Sequence, residues 1–349
     1  MSDRSLALPE RIASIEVLDE LLSRPTPGVI EALRNLPGPL LVLGVGGKMG
    51  PTLARMAARA VQAAGSGPQV LGVSRFSEGG LREQLEGWGV GTIACDLLDE
   101  DALAALPDAP NIVFMAGMKF GASANQPQTW AMNTFVPGLV GRRFGGSRLV
   151  AFSSGNVYPL VPVTAGGAGE ETPPDPVGEY AQSVLGRERL LAYWATRLHS
   201  PTLFLRLNYA VELRYGVLLD VAQKVWHEEP VDVTMGHANV IWQGDANAAA
   251  LQALALADVP PVPLNLTGPE TISVRWLAEQ FGALLGRAPR LTGAEQPTAL
   301  LNNARRAHER FGYPQVPLGR VIAWVADWVR SGGPTLDKPT KFQVRDGKF

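Results

Sequence analysis

A chain of 349 residues with 46% hydrophobic and 18% charged residues is long enough for one large α/β unit or for two domains that share a cleft. Its net charge of −2 gives no electrostatic basis for binding nucleic acid or an anionic membrane. The single cysteine, Cys95, excludes an internal disulfide and suits a reducing cytosol. No signal-peptide pattern and no apolar run of membrane-spanning length are visible, so we expect a cytoplasmic protein.

Residues 1–38 precede the first predicted strand and form a helical N-terminal extension. Apolar residues repeat at helical spacing from Ile12 to Leu22, and the prolines at 25 and 27 end that helix. A second short helix is predicted for residues 29–36. Two interpretations remain open, a helical pair packed on the flank of the domain and a dimer contact.

A short apolar run at residues 40–45 predicts a buried strand, and an Ala-, Leu- and Met-rich helix follows it after a cluster of glycines. Glycines at this position permit positive φ and let the main chain approach a diphosphate, which the helix N-terminus also attracts. The strand, tight turn and helix therefore predict a dinucleotide site. The loop residues assigned to it are Gly44, Gly47, Lys48, Met49 and Gly50.

The segments that follow alternate strand and helix, which predicts a parallel doubly wound sheet. The second strand, residues 69–74, ends at Ser74 and is followed by Arg75. An NAD site usually has an acidic residue at this point for the ribose 2′-hydroxyl. A hydroxyl beside a guanidinium suits a 2′-phosphate instead. We predict NADP in preference to NAD. The alternative is that Arg75 points into solvent or stacks on adenine.

The third strand, residues 91–95, is followed by Asp96 and Leu97. Asp96 either accepts a hydrogen bond from the adenine amino group or caps the helix that begins near residue 99. The fourth strand ends in Ala116 and Gly117, small residues that let the chain pass under a cofactor.

Lys119 follows on the loop at the carboxyl end of this predicted sheet, where open α/β sheets bind their ligands. A helix over residues 128–144 carries Asn133, and residues 148–153 form the fifth strand.

From residue 40 to about 330, this order of motifs resembles the extended short-chain dehydrogenase/reductase superfamily, in particular the NAD-dependent epimerase/dehydratase family. The segments that carry the resemblance are Gly44-x-x-Gly47-x-x-Gly50, Asp96-Leu97, Asn133, SSGNVY at 153–158, LRLN at 205–208, WQGDA at 242–246 and NLTGPE at 265–270. The resemblance implies an NAD(P)-dependent enzyme in which Ser154 takes the catalytic serine or threonine position. It also implies a homodimer formed by the helices of residues 128–144 and 178–200.

The family's chemistry asks for a Tyr-x-x-x-Lys pair on one helix face, where the ammonium lowers the pKa of the phenol. Here the tyrosine is Tyr180, but the lysine position is Val184. Three interpretations compete. Another cation, for which Lys119 is the candidate, replaces the lysine; or Tyr180 and Ser154 act at a reduced rate; or the protein binds a dinucleotide and has lost redox chemistry. Lys119 has an ordinary alternative as a solvated loop residue.

In the predicted substrate half, residues 166–178 form an exposed loop near the site, residues 178–200 form the Tyr180 helix, and residues 201–208 form a sixth strand. The sequence YAVELRY at 209–215 then replaces the family's Gly-Pro turn, which places a standard nucleotide-sugar pocket in doubt. Residues that could line a pocket for a smaller polyol or an acid are Arg206, Asn208, Arg214, Tyr215 and His237. Arg206 could equally pair with an acid, and no pattern suggests a metal.

The predicted fold class is α/β, a Rossmann-type doubly wound parallel sheet with a smaller C-terminal α/β substrate lobe and the helical extension. The predicted boundaries are 1–38 for the extension, 39–208 for the Rossmann domain, 209–331 for the substrate lobe (with 239–258 returning to the Rossmann domain) and 332–349 for a polar tail. That tail is expected to be an extended strap or partly disordered.

The predicted function is an NAD(P)-dependent, epimerase/dehydratase-like oxidoreductase acting on a sugar or sugar-acid hydroxyl or carbonyl. In it, Tyr180 is the acid/base and Ser154 polarises the substrate oxygen. The alternative is a redox-silent NAD(P)-binding protein that acts as a sensor or scaffold.

Overall fold

The computed structural model describes residues 8–77, 79–119, 121–122 and 124–348. Residues 1–7 of the predicted extension and Phe349 of the predicted tail lie outside the described residues. The strands are β1 Leu40–Leu43, β2 Val70–Ser74, β3 Gly91–Ala94, β4 Asn111–Phe114, β5 Arg148–Ser154, β6 Val161–Pro162, β7 Thr202–Leu207, β8 Ala210–Val211, β9 Pro230–Asp232, β10 His237–Ala238, β11 Ile241–Trp242, β12 Val262–Leu266, β13 Ile272–Ser273, β14 Arg290–Thr292 and β15 Thr298–Ala299.

The α-helices are α1 Ile15–Leu22, α2 Pro27–Arg34, α3 Gly50–Ala64, α4 Leu81–Gly87, α5 Glu100–Ala104, α6 Gln126–Trp130, α7 Val136–Arg143, α8 Gly178–Leu198, α9 Val217–Trp226, α10 Gln243–Gln252, α11 Val274–Leu285, α12 Arg305–Phe311 and α13 Leu318–Arg330. Shorter 3₁₀ turns lie at Gly155–Val157 and Ala253–Leu256. The helix α10 thus ends at Gln252, and the chain continues directly as the second of these 3₁₀ turns.

Seven parallel strands form the central sheet, in the order β12-β7-β5-β4-β1-β2-β3. Both central strands, β1 and β4, are buried along their whole length, which explains their unbroken apolar sequence. In the register, Leu40 lies opposite Val70 of β2 and Asn111 of β4. The order reverses at β1, so the carboxyl ends of β1 and β4 form the crevice in which open α/β sheets bind ligands.

Helices cover both faces of this sheet. One face packs against α2, α3 and α10 through side chains such as Leu53 and Ala249. The other packs against α5, α7 and α8 through Val140 and Leu191. The predicted doubly wound, Rossmann-type fold is confirmed.

A second apolar core belongs to the C-terminal part of the chain and contains residues of α9, α11 and α13, including the fully enclosed Phe281 and Trp324. Leu18 and Leu22 of α1 are part of this core, and Asn247 Nδ2 of α10 donates to the carbonyl of Leu22 at 3.2 Å. The buried apolar side chains of α1 therefore pack within this chain, as the first interpretation of the extension expects.

The predicted helix over residues 128–144 is interrupted by a π-helical segment, Ala131–Phe135, between α6 and α7. Pro137 has no N–H to donate to the carbonyl of Asn133 four residues earlier. The guanidinium of Arg187 donates to that carbonyl instead, at 3.3 Å. Such segments are frequent at functional sites, and this one holds the side chain of Asn133 in the interior.

None of the described helices combines the length and apolar character needed to cross a bilayer.

Candidate active site

A cleft with a volume of about 350 Å³ opens at the carboxyl ends of β1 to β4. Its lining residues are Gly44, Gly46, Gly47, Val73, Ser74, Arg75, Phe76, Ser77, Leu81, Cys95, Asp96, Leu97, Met115, Ala116, Gly117, Met132 and Lys338. Residues of this lining that the sequence predicts as cofactor contacts are Gly44, Gly47, Ser74, Arg75, Asp96, Leu97, Ala116 and Gly117. The structure brings these eight together.

The glycines of the β1–α3 loop leave main chain uncovered at the cleft. Gly44 has φ +89°, and a Cβ on it would lie 2.5 Å from the backbone nitrogen of Ala116. A Cβ on Gly50 would lie 2.3 Å from the carbonyl oxygen of Val45, so α3 packs closely against the end of β1. A Cβ on Gly47 would lie 3.4 Å from its nearest neighbouring atom, so a side chain at this position would occupy space at the cleft wall. Uncovered main chain at a helix start fits the diphosphate of a dinucleotide.

The residues at the tips of β2 and β3 line the other end of the cleft. Arg75 is exposed, and the hydroxyl of Ser74 packs against Gly46, where a Cβ would lie 2.5 Å from that oxygen. Asp96 accepts from the backbone N–H of Leu98 at 3.1 Å. The N-cap of α5 is Asp99, so the alternative role of Asp96 as that cap is wrong.

Two loop residues assigned to the cofactor turn their side chains away from the cleft. Met49 is buried in the core beneath the sheet, because α3 packs closely on β1. Lys48 points toward the C-terminal lobe, where Nζ donates to the carbonyl of Ala210 at 3.0 Å and lies 3.7 Å from the ring centroid of Tyr215. Lys48 and Met49 therefore contribute only backbone atoms to the cofactor side of the glycine loop.

Tyr180, in the first turn of α8, meets Ser154 at the end of β5. A side-chain hydrogen bond joins the two residues, and Ser154 Oγ also donates to Asn156 Oδ1 at 2.9 Å. Burial raises the pKa of Tyr180, while the nearby Arg187 and the hydrogen bond with Ser154 act to lower it. The net direction is upward, so the phenol is protonated at neutral pH.

Lys119, the candidate cation, lies beside this pair. Its Nζ is 5.8 Å from the ring centroid of Tyr180 and 5.6 Å from that of Tyr209. Burial lowers the pKa of Lys119 to about 8, against the raising effect of Asp220. Its ammonium is thus charged at neutral pH and loses that charge within a mildly alkaline range.

Val184, which occupies the family's lysine position, belongs to an apolar cluster with Val157, Tyr158 and Ala168. The cation on this face of α8 is Arg187, which follows three residues later. Its guanidinium is enclosed and donates to the carbonyl of Phe152.

Arg187 also donates to Asn133 Oδ1, at 3.1 Å. Burial lowers the pKa of Arg187 to about 10, while Tyr180 and Glu188 act to raise it. Arg187 is absent from the residues predicted for the site, although a spacing of seven residues from Tyr180 places it on the same helix face.

Asn133 is fully enclosed and holds the loop after β4 in place. Its Oδ1 accepts from the backbone N–H of Met118 at 2.7 Å, and its Nδ2 donates to the carbonyl of Met118 at 2.8 Å. Nδ2 also donates to Ser183 Oγ at 3.0 Å. Asn133 therefore orders the loop that carries Gly117 and Lys119.

The segment that replaces the family's Gly-Pro turn closes the site from the side of the C-terminal lobe. Tyr209 has φ +46°, a left-handed conformation that costs on the order of 1–2 kcal/mol for a residue with a Cβ. Burial raises the pKa of Tyr209 and of Tyr215, and the charge of Asp220 raises both further. We call Lys48, Lys119, Tyr180, Tyr209, Tyr215 and Asp220 the inner cluster. No sequence pattern marks Tyr209 or Asp220 as members.

The remaining polar candidates form structural contacts. Arg206 makes a buried ion pair with Glu188 at 2.7 Å and donates to Tyr158 Oη at 2.6 Å, which confirms the alternative that it pairs with an acid. Asn208 donates to Asn239 at 3.0 Å.

Arg214 pairs with Glu212 and Asp19 at 3.2 and 3.0 Å, so its charge is already balanced. His237 lies in β10. Within the described residues, no group of His, Cys, Asp and Glu side chains could hold a metal ion.

Several solved structures share this fold over most of the chain. UDP-glucuronic acid 4-epimerase from Bacillus cereus in complex with NAD is 17% identical with a TM-score of 0.70, over 84% of this chain and 99% of its own. UDP-glucose 4-epimerase from Thermus thermophilus in complex with NAD is 19% identical with a TM-score of 0.68, over 83% and 98%. UDP-glucose 4-epimerase from Thermotoga maritima with UDP-glucose is 16% identical with a TM-score of 0.69, over 85% and 99%.

No curated protein sequence matches the chain. The model of the NAD dependent epimerase/dehydratase family matches residues 40–211, the stretch that contains the glycine loop, Ser154 and Tyr180. Over these residues the chain matches the NAD dependent epimerase/dehydratase family, and its fold is that of the solved 4-epimerases.

Proposed function

We propose that this protein is an NAD(P)-dependent oxidoreductase or epimerase that acts on a hydroxyl or carbonyl of a sugar or sugar acid. The observation that carries the proposal is the hydrogen-bonded pair of Ser154 and Tyr180. It lies next to Lys119, on the loop that also lines the glycine-rich cleft through Gly117. A proton-transfer group thus adjoins a site that fits a dinucleotide.

The cleft has residues suited to the diphosphate, the adenine and the adenosine ribose of such a cofactor. The main chain from Gly44 to Gly50 would hold the diphosphate, and Asp96 would accept from the adenine amino group. Ser74 and Arg75 would bind a ribose 2′-phosphate, which favours NADP over NAD. The bound nicotinamide would accept or donate a hydride.

The protein's own residues supply the proton chemistry. Because the phenol of Tyr180 is protonated at neutral pH, it begins as the donor of a proton to a substrate carbonyl oxygen, to which Ser154 also donates a hydrogen bond. The ammonium of Lys119 stabilises the phenolate that remains. In the opposite direction the same phenolate accepts the hydroxyl proton.

The inner cluster supports a carbohydrate-like substrate with an acidic group. Lys48 and Lys119 place two ammonium groups in this cluster. Burial lowers the pKa of Lys48 to about 7 and that of Lys119 to about 8. A carboxylate bound there would raise the pKa of both lysines and so favour their charged forms. The related structures of 4-epimerases, one of them with UDP-glucose, favour a sugar.

The second candidate function is a redox-silent dinucleotide-binding protein. It is favoured by the apolar surroundings of Val184, which leave no lysine for the nicotinamide ribose on α8. Binding without turnover is the property that separates this candidate from the enzyme.

The protein is also proposed to form a homodimer through the outer face of α6, the π-helical segment and α8. Four large apolar side chains are exposed there, Trp130, Phe135, Leu190 and Tyr193, and adjacent exposed groups of this kind mark interaction surfaces. Cytoplasmic location remains a proposal from the cysteine content.

The test replaces Tyr180 with Phe. Purified protein is assayed for a change in nicotinamide absorbance with NADP(H) and NAD(H) over a panel of sugars and sugar acids. Tyr180→Phe should lower turnover by at least about 100-fold and keep the dissociation constant of the dinucleotide. Tyr313→Phe, at an exposed position, is the matched control and should keep full turnover. Activity unchanged by Tyr180→Phe would disprove its acid/base role, and dinucleotide binding without turnover on any substrate would support the redox-silent alternative.

A further inference from the structure

The polar tail does not leave the molecule but crosses the site. We call residues 334–347 the strap. It begins just after α13, where Trp328 Nε1 donates to the carbonyl of Pro334 at 3.0 Å. From there it runs to the cleft without helix or strand, so its position depends on individual contacts with the rest of the chain.

Two contacts fix the strap on either side of Lys338. The backbone N–H of Leu336 donates to the carbonyl of Arg214 at 3.0 Å. The backbone N–H and the hydroxyl of Thr340 both donate to Asp220 Oδ2, at 2.8 and 2.5 Å. Asp220 belongs to the inner cluster, so the strap is anchored beside the proposed reaction site.

Lys338 lines the same cleft as Gly47 and Arg75. The carboxylate of its neighbour Asp337 is engaged within the strap, because Oδ1 accepts from the hydroxyl of Thr335 at 2.5 Å. Pro339 restricts the backbone of Lys338 to extended conformations. A positive side chain is thus held in a defined segment at the wall of a site suited to phosphate.

The far end of the strap is tied down as well. Phe342 is buried in the core of the C-terminal lobe, and the guanidinium of Arg345 donates to the carbonyl and the hydroxyl of Thr298 at 2.7 and 2.6 Å. Gly347 packs against Gly178, where a Cβ would lie 2.5 Å from the carbonyl oxygen of Gly347. Gly178 is the first residue of the helix that carries Tyr180, so the strap joins the cofactor cleft to the catalytic helix.

We propose that the strap is a latch on the dinucleotide site and that Lys338 binds a phosphate of the cofactor. The inference rests on the proposed function, because it needs a dinucleotide in the cleft. An ammonium that contacts phosphate adds a charge-assisted hydrogen bond. Cofactor binding and docking of the strap then stabilise each other. The bound cofactor therefore keeps the strap docked over the cleft, and the docked strap slows release of the cofactor.

The binding test compares Lys338→Ala with Lys341→Ala by calorimetric titration of NADP and NAD. Both lysines are exposed on the strap, but only Lys338 lines the cleft. Lys338→Ala should weaken binding about five- to tenfold, Lys341→Ala less than about twofold, and Lys338→Arg should retain most of the affinity. A loss for both dinucleotides assigns Lys338 to the diphosphate, and a loss for NADP alone assigns it to the 2′-phosphate.

Hydrogen exchange of the wild-type protein tests the latch itself. Saturating dinucleotide should slow amide exchange in residues 334–347 relative to the exposed residues 65–67. If the dinucleotide binds but neither Lys338→Ala nor the exchange of the strap shows an effect, the latch is wrong and the proposed function stands. If the wild-type protein binds neither NADP nor NAD, both proposals fail.

Discussion

Lys48 and Lys119 belong to the same inner cluster but have different roles. Lys48 interacts with the carbonyl of Ala210 and the ring of Tyr215, which hold the glycine loop to the C-terminal lobe. Lys119 lies beside Tyr180 and Tyr209, on the loop ordered by Asn133. Position rather than charge therefore makes Lys119 the candidate for a role in proton transfer.

The pH dependence of the reaction is expected to follow the loss of the proton from Lys119. Its pKa of about 8 means that the ammonium is present below pH 8 and lost above it. The value of kcat/KM, which reflects the free enzyme, should therefore fall as pH rises through about 8. Lys119→Arg should move this fall to higher pH, because a guanidinium keeps its proton, and Lys119→Met should remove the fall and lower the plateau.

Lys48→Met is the matched control for this profile, since it removes a lysine from the same inner cluster. The fall near pH 8 should persist in Lys48→Met. A fall that disappears in Lys48→Met but persists in Lys119→Met would assign the essential cation to Lys48.

At the scale of elements, α8 combines an apolar and a charged half on the face that carries Tyr180. Val184 packs against Tyr158, whose hydroxyl is engaged by Arg206 and Asn265. One turn later, the guanidinium of Arg187 reaches the π-helical segment. The position that holds lysine in the family's motif is therefore part of a packed core in this protein.

Restoring the family's lysine at position 184 should for this reason destabilise the folded protein. Val184→Lys would bury an ammonium among apolar side chains and near the guanidinium of Arg187, at a cost of about 3–5 kcal/mol in the free energy of unfolding. We expect urea unfolding at lower concentration and no gain in turnover. Val184→Ala, which leaves a small cavity without a charge, should cost about 1–3 kcal/mol. Higher turnover in Val184→Lys with unchanged stability would contradict this account of the helix.

How far elements could be predicted from the sequence depends on the range of the interactions that form them. The strands from Leu40 to Ser154 and the helix of Tyr180 carry their own apolar patterns, and the sequence places them within a few residues. The π-helical segment around Asn133 is different, because it combines a local effect of Pro137 with a long-range contact to Arg187. A helical period alone contains no sign of that contact.

The same distinction holds for the whole molecule. The alternation of strands and helices predicts the parallel sheet, and the glycine loop predicts the cleft at its edge. The course of the strap has no such pattern. Thr340 binds Asp220, which lies more than a hundred positions earlier, and Lys338 lines a cleft formed by residues still earlier in the chain. The sequence therefore indicates an extended tail but not its path over the site.

The N-terminal extension links the two halves of the molecule. Glu20 of α1 pairs with Arg59 of α3 at 2.9 Å, on the Rossmann side. Leu18 and Leu22 are fully enclosed in the core of the C-terminal lobe. A helix fixed to both halves should make them unfold as one cooperative unit.

Leu22→Ala tests this coupling. Loss of the enclosed side chain should lower the free energy of unfolding by about 2–5 kcal/mol, whereas Val17→Ala, on the exposed side of the same helix, should cost less than about 1 kcal/mol. Urea unfolding is followed by tryptophan fluorescence for the whole chain and by thiol labelling of the buried Cys95 for the Rossmann half. Both midpoints should fall together in Leu22→Ala. A fluorescence midpoint that falls while Cys95 stays protected would show that α1 stabilises only the C-terminal lobe.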